Sequence, residues 1–194
     1  MSDESTRMSE EARREAEERR ARAAAQIRVV GDPVLRERAH EVVGFDDDLR
    51  ALSERMIGIM HDAPGIGLAA TQLGIVRRVL VYDVEPEQGP VTLVNPEILG
   101  HGDELVTMDE GCLSVPGVNV PVEREASIHM RAQDLSGAVR EFDAEELEAR
   151  VIQHELDHLD GVLILDRTSR VERARALREL RDREPGPVSR PAGL

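Results

Sequence analysis

The apolar positions of this 194-residue chain change period along its length. Over residues 46–60, Leu49, Leu52, Met56 and Ile59 recur at three- and four-residue spacing, which predicts an amphipathic helix. Asp46 or Asp47 provides its N-cap and Pro64-Gly65 its stop. Residues 76–84, 91–94, 104–108, 126–133 and 138–142 are rich in β-branched residues or partly alternate, and read as strands. Ser136-Gly137 marks a hairpin turn between the last two. Helical period returns over residues 143–159, where Asp143 as N-cap and Glu146 make a capping-box pattern. It returns once more over about 169–184, before Pro185-Gly186-Pro187. Strands gathered in the middle with a strong helix after them predict an α+β fold.

The two ends follow other patterns. Residues 1–26 are mostly Glu, Arg and Ala at spacings that support a solvated helix without a wide apolar stripe, so they read as a charged extension. Residues 27–168 form the domain proper, and 169–194 an Arg-rich helix followed by a disordered tail.

Composition narrows the functional classes. Hydrophobic residues make up 40% of the chain but aromatics only 2%, so the core is aliphatic and stacking platforms for single-stranded nucleic acid are lacking. With 25 basic and 39 acidic residues the formal net charge is −14, which argues against a surface that grips DNA. One cysteine, Cys112, allows no internal disulfide and suits a reducing compartment. No apolar run has the length of a membrane span, and the N-terminus has no apolar signal segment. A cytoplasmic protein without membrane contact is expected, and nothing demands more than a monomer.

The chemistry concentrates in His154-Glu155-Leu156-Asp157-His158. Four residues of helix rise about 6 Å and return to the same face, so two imidazoles on adjacent turns can meet one cation. Leu147, Val151, His154 and His158 are four, three and four residues apart, which places both histidines on the stripe that faces the interior. Two histidines can simply pack in a core, but this spacing with Glu155 between them favours a metal. The metzincin pattern requires His where Ile164 stands, and that reading fails. A thermolysin-like third ligand would be Glu172 or Glu179, both in a stretch that reads as a solvated face. Cys112, in Glu110-Gly111-Cys112-Leu113-Ser114, is the better third ligand, because thiolate is a strong soft donor. A third segment, Gly65-Ile66-Gly67-Leu68-Ala69-Ala70-Thr71-Gln72, offers glycines for close backbone approach and an amide able to donate to an oxyanion.

Together GIGLAATQ, EGCLS and QHELDH, in this order, resemble the three signature motifs of the peptide deformylases, over about residues 27–170. The resemblance implies an α+β fold in which small antiparallel sheets surround a central metal-binding helix. It implies hydrolysis of the N-terminal formyl group of formyl-methionyl nascent chains with release of formate. Carried over residue by residue, Cys112, His154 and His158 become metal ligands and Glu155 the general base, then acid, for water attack on the formyl carbon. Gln72 and the Leu113 N–H become oxyanion donors, Gly67 a substrate-holding backbone, and Glu110 with Arg124 a supporting ion pair. The expected cofactor is Fe²⁺, with Zn²⁺, Ni²⁺ or Co²⁺ able to replace it. Ile66 and Val151 are expected to line an apolar cleft for the methionine side chain. Arg170, Arg173, Arg175, Arg178, Arg181 and Arg183 read as a salt-bridged helix face or, more sharply, as a contact with ribosomal RNA.

Overall fold

A computed structural model describes the backbone of residues 2–182, and side chains from residue 10 onward. Helix α1 (Ser2–Ala24) leads into a loop and helix α2 (Asp47–Asp62). Strands β1 (Gly67–Ala69), β2 (Val79–Tyr82) and β3 (Val91–His101) follow. Next come β4 (Leu105–Cys112), β5 (Val115–Glu125), β6 (Ser127–Gln133) and β7 (Val139–Glu145). Helices α3 (Glu146–Leu159), α4 (Ile164–Arg167) and α5 (Arg170–Asp182) complete the described chain.

Five strands form one antiparallel sheet in the order β1-β2-β3-β6-β7, while β4 and β5 pair only with each other. β2 explains how the large sheet is used. Its residues Val79, Leu80, Val81 and Tyr82 are all buried, because alternate side chains enter different clusters. Val79 and Val81 join Leu49, Leu52, Met56 and Met60 of α2 on one face. Leu80 and Tyr82 join Ala149, Ile152, Leu156 and Leu159 of α3 on the other. The sheet is therefore sandwiched between α2 and α3. A third cluster lies beyond α3, where Val115, Val118, Val120 and Val122 of β5 meet Ile164, Leu165 and Ala176. The α+β expectation, with antiparallel sheets around a central helix, describes this arrangement.

Several local expectations need correction. Asp46 does cap α2, accepting from the Leu49 N–H at 3.0 Å. Asp143 does not cap α3: it lies in β7, where its carboxylate meets His129 Nδ1 at 2.7 Å. The N-cap of α3 is Glu145, two residues later, which makes no side-chain cap hydrogen bond, and Glu146 takes a positive φ of 49°. The two strands that periodicity passed over are β1 and β5. β5 contains Pro116, Gly117 and Pro121, which resemble breakers, yet a strand with one neighbour points alternate N–H groups away from the ladder and tolerates proline. Leu147 is about half exposed and not interior.

At the N-terminal end only Ala23 is buried among the described side chains of α1, and Arg19 lies 3.9 Å from Asp62. At the other end α5 buries Ala176 against β5 and Arg175 donates to the Asn119 carbonyl, while Arg170, Arg173, Arg178 and Arg181 are exposed. The expected tail and Arg183 lie outside the described residues. No described helix is long and apolar enough to cross a membrane.

Candidate metal centre and active site

Cys112 ends β4, and His154 and His158 stand one turn apart on α3, so the fold brings the hairpin and the helix together at these three side chains. Their ligand atoms all lie within 4.8 Å of one another. Cys112 Sγ is 3.2 Å from His158 Nε2, and the two imidazole centroids are 5.1 Å apart. The donor set fits a late first-row divalent cation, for which a thiolate and imidazoles are suitable ligands.

The surroundings act differently on the two histidines. His154 Nδ1 donates to Glu110 Oε2 at 2.9 Å, which leaves Nε2 free to ligate. Burial opposes charge on Glu110, but hydrogen bonds from His154 and Arg124 overcome it and pull its pKa down to about 2. Burial holds the pKa of His158 well below the ordinary imidazole value, keeping it neutral as a ligand must be. His154 behaves oppositely: burial would lower its pKa, but its hydrogen bonds to Cys112 and Glu110 raise it well above the usual value.

Glu155 points into the same space. It is 4% exposed, and its Oε2 has no hydrogen-bond partner among the described residues. Burial raises its pKa to about 7, offset only in part by His154 and Arg124. A carboxyl poised there can take and return a proton near neutral pH. Gly67 explains one glycine of GIGLAATQ: a Cβ at that position would lie 2.5 Å from Glu155 Oε1 and 2.9 Å from Val151 Cγ1.

Gln72 is buried and its amide is oriented at both ends. Its Oε1 accepts from the Ala69 N–H at 2.8 Å, and its Nε2 donates to Ser114 Oγ at 3.2 Å. One amide N–H remains for another acceptor. A cleft of about 510 Å³ opens over these groups. Gly67, Gln72, Cys112, Leu113, His154 and Glu155 line it, as do Ile66 and Val151. His158 is 1% exposed and lies beneath Cys112. Glu172 and Glu179 instead pair with Arg175 on α5.

Four residues carry more of this site than the sequence alone suggested. Arg150 is buried on α3 and bonds Glu110, and Asp157 bonds both Arg124 and Arg167. Ser114 holds Gln72, while Thr71 Oγ1 donates to the His158 carbonyl at 3.0 Å. Arg150 did leave a signal, since it lies four residues before His154 and so shares the inward stripe.

Comparison with known proteins agrees with this geometry. The family profile described as polypeptide deformylase matches residues 24–174. A peptide deformylase of Thermotoga sp. (strain RQ2) is 48% identical, over 80% of this chain and 94% of that protein. One from Novosphingobium aromaticivorans is 43% identical, over 81% and 96%. The crystal structure of the Thermotoga maritima peptide deformylase superposes with a TM-score of 0.72 at 50% identity, covering 74% of this chain and 96% of the other. A Synechococcus elongatus peptide deformylase crystallised with actinonin gives 0.76 at 42% identity, covering 79% and 85%. The chain belongs to the peptide deformylases, metal-dependent hydrolases that remove the N-terminal formyl group from nascent polypeptides.

Proposed function

We propose that Cys112, His154 and His158 hold the cation of this deformylase and that Glu155 is its general base and acid. The observation that carries this reading is the convergence of one thiol and two imidazoles within 4.8 Å beside a buried carboxyl. A divalent ion held there supplies Lewis acidity and makes water acidic enough to act as a nucleophile near neutral pH. Glu155 takes the proton of the attacking water and passes it to the departing amine. Gln72, fixed by Ala69 and Ser114, donates its free N–H to the oxyanion beside the Leu113 N–H. One such donor contributes about 3–4 kcal/mol to barrier lowering. The Gly67 backbone admits substrate close to Glu155, and Ile66 and Val151 give the methionine side chain an apolar wall.

Fe²⁺ is the proposed cellular ion, with Zn²⁺, Ni²⁺ or Co²⁺ able to replace it; the mixed thiolate and imidazole donor set supports this range. Metal analysis of protein purified without oxygen checks it. The decisive experiment measures formate release from formyl-Met-Ala-Ser by Fe²⁺- or Ni²⁺-loaded protein beside Glu155→Ala. Release by the wild type, lost in a variant that keeps its metal, supports the assignment. Equal release by both removes Glu155 from it.

We also propose a cytoplasmic monomer that meets ribosomal RNA through α5. Arg173 and Arg175 are engaged by Asp166, Glu172 and Glu179, whereas Arg170 and Arg178 form no ion pair with a described residue. A protein truncated before Arg170 is expected to bind ribosomes more weakly, and unchanged binding would end the idea.

A further inference from the structure

The helix and the hairpin that bring the three donors together share no apolar cluster. The large buried side chains of α3 pack against the five-stranded sheet. The valines of β5 pack instead against α4 and α5. Between α3 and the hairpin lies a seam of charge: Glu110, Arg124, Arg150 and Asp157, all buried.

We propose that Arg150 is a positioning residue that holds the Cys112-bearing hairpin at the separation from α3 which the three ligands require. This inference rests on the ligand assignment made above. One guanidinium reaches the hairpin in three places. Nη1 donates to Glu110 Oε1 at 2.7 Å and to the Val122 carbonyl at 3.2 Å, and Nη2 donates to the Val106 carbonyl at 2.5 Å. Arg150 thus grips both β4 and β5 from one turn below His154. Arg124 plays a different part. It stands on β5, and its paired bonds to Glu110 at 2.7 and 2.9 Å stay within the hairpin. It reaches α3 only through Asp157, at 3.0 Å.

Glu110 therefore receives two bonds from its own hairpin and two across the seam, from Arg150 and from His154. Removing Arg150 leaves His154 Nδ1 as the one direct bond from α3 to that carboxylate. The ring and the carboxylate then lose their fixed relation, and Cys112, two residues along β4 from Glu110, loses its fixed distance from both imidazoles. Lysine cannot substitute fully, because a single ammonium lacks the planar fork that serves a carboxylate and two carbonyls at once.

The test uses the full chain loaded with Co²⁺, whose thiolate absorption band reports the Cys112 bond directly. Release into excess EDTA is followed for wild type, Arg150→Lys and Arg150→Met, with Ile152→Ala as a variant of the apolar face. Arg150→Met is expected to release Co²⁺ about 10-fold faster or more. Arg150→Lys should fall between it and wild type, and Ile152→Ala should match wild type despite a lower Tm. Metal-replete Arg150→Lys should keep the KM for formyl-Met-Ala-Ser while kcat falls. Wild-type release rates in both Arg150 variants would overturn the proposal, as would a change confined to KM, which would make Arg150 a substrate contact. If Arg150→Met does not fold, Arg150→Lys decides alone. A wild-type protein without the thiolate band would instead refute the ligand assignment, and the proposal with it.

Discussion

The two sides of α3 are built from different materials. Toward the five-stranded sheet it presents Ala149, Ile152, Leu156 and Leu159, a stripe that aliphatic burial alone can hold. Toward the β4–β5 hairpin it presents Arg150, His154, Asp157 and His158, each met by hydrogen bonds or by Cys112. The first side tolerates local repacking at modest cost, since hydrophobic groups are non-directional. The second fixes angles as well as distances, and loses them when a single partner goes. Site geometry is thereby assigned to one face of the helix, while the other contributes stability alone.

Substitutions on each face should separate these properties. Glu110→Ala has the largest expected effect, because it leaves buried Arg124 and Arg150 without their shared carboxylate: about 3–5 kcal/mol in denaturant unfolding, together with faster metal loss. Ile152→Ala should cost about 2–5 kcal/mol through the cavity it leaves, while formate release per bound metal stays unchanged. An altered rate per metal there would erase the division of labour. Thr71→Val removes the bond to the His158 carbonyl and should cost about 1–2 kcal/mol, read as a lower Tm.

Asp166 belongs to neither face and calibrates the comparison. Burial would raise its pKa, but the bonds from Arg36 and the Leu163 N–H lower it. A lowered folded pKa adds stability above the ordinary carboxylate range and loses it as pH falls through the folded value. Asp166→Asn should therefore destabilise by about 1 kcal/mol or less at neutral pH, with the difference disappearing in acid. A difference that persists in acid would assign the effect to packing.

What the sequence disclosed follows the same division. Local periodicity revealed α2 and most of α3, because their apolar stripes repeat within a single segment. The two histidines were legible for the same reason, being four residues apart on one helix. Cys112 lies forty-two residues from His154, and only its place in a recognisable motif linked them. The start of α3 was misplaced because Asp143 and Glu146 match a capping box while β7 claims Asp143 for its pairing with His129. Arg150 and Ser114 stayed hidden because their partners come from distant segments: Val106 and Val122 for one, Gln72 for the other.

One consequence of the seam concerns protons. Its cations, Arg124 and Arg150, are both guanidiniums, which keep their charge at any pH a protein survives. A lysine in such a place would be free to surrender its proton when buried. The hairpin is therefore fastened by groups that take no part in acid–base traffic, and alkaline conditions do not discharge them. Beside this inert framework Glu155, whose pKa burial raises to about 7, can gain or lose a proton near neutrality.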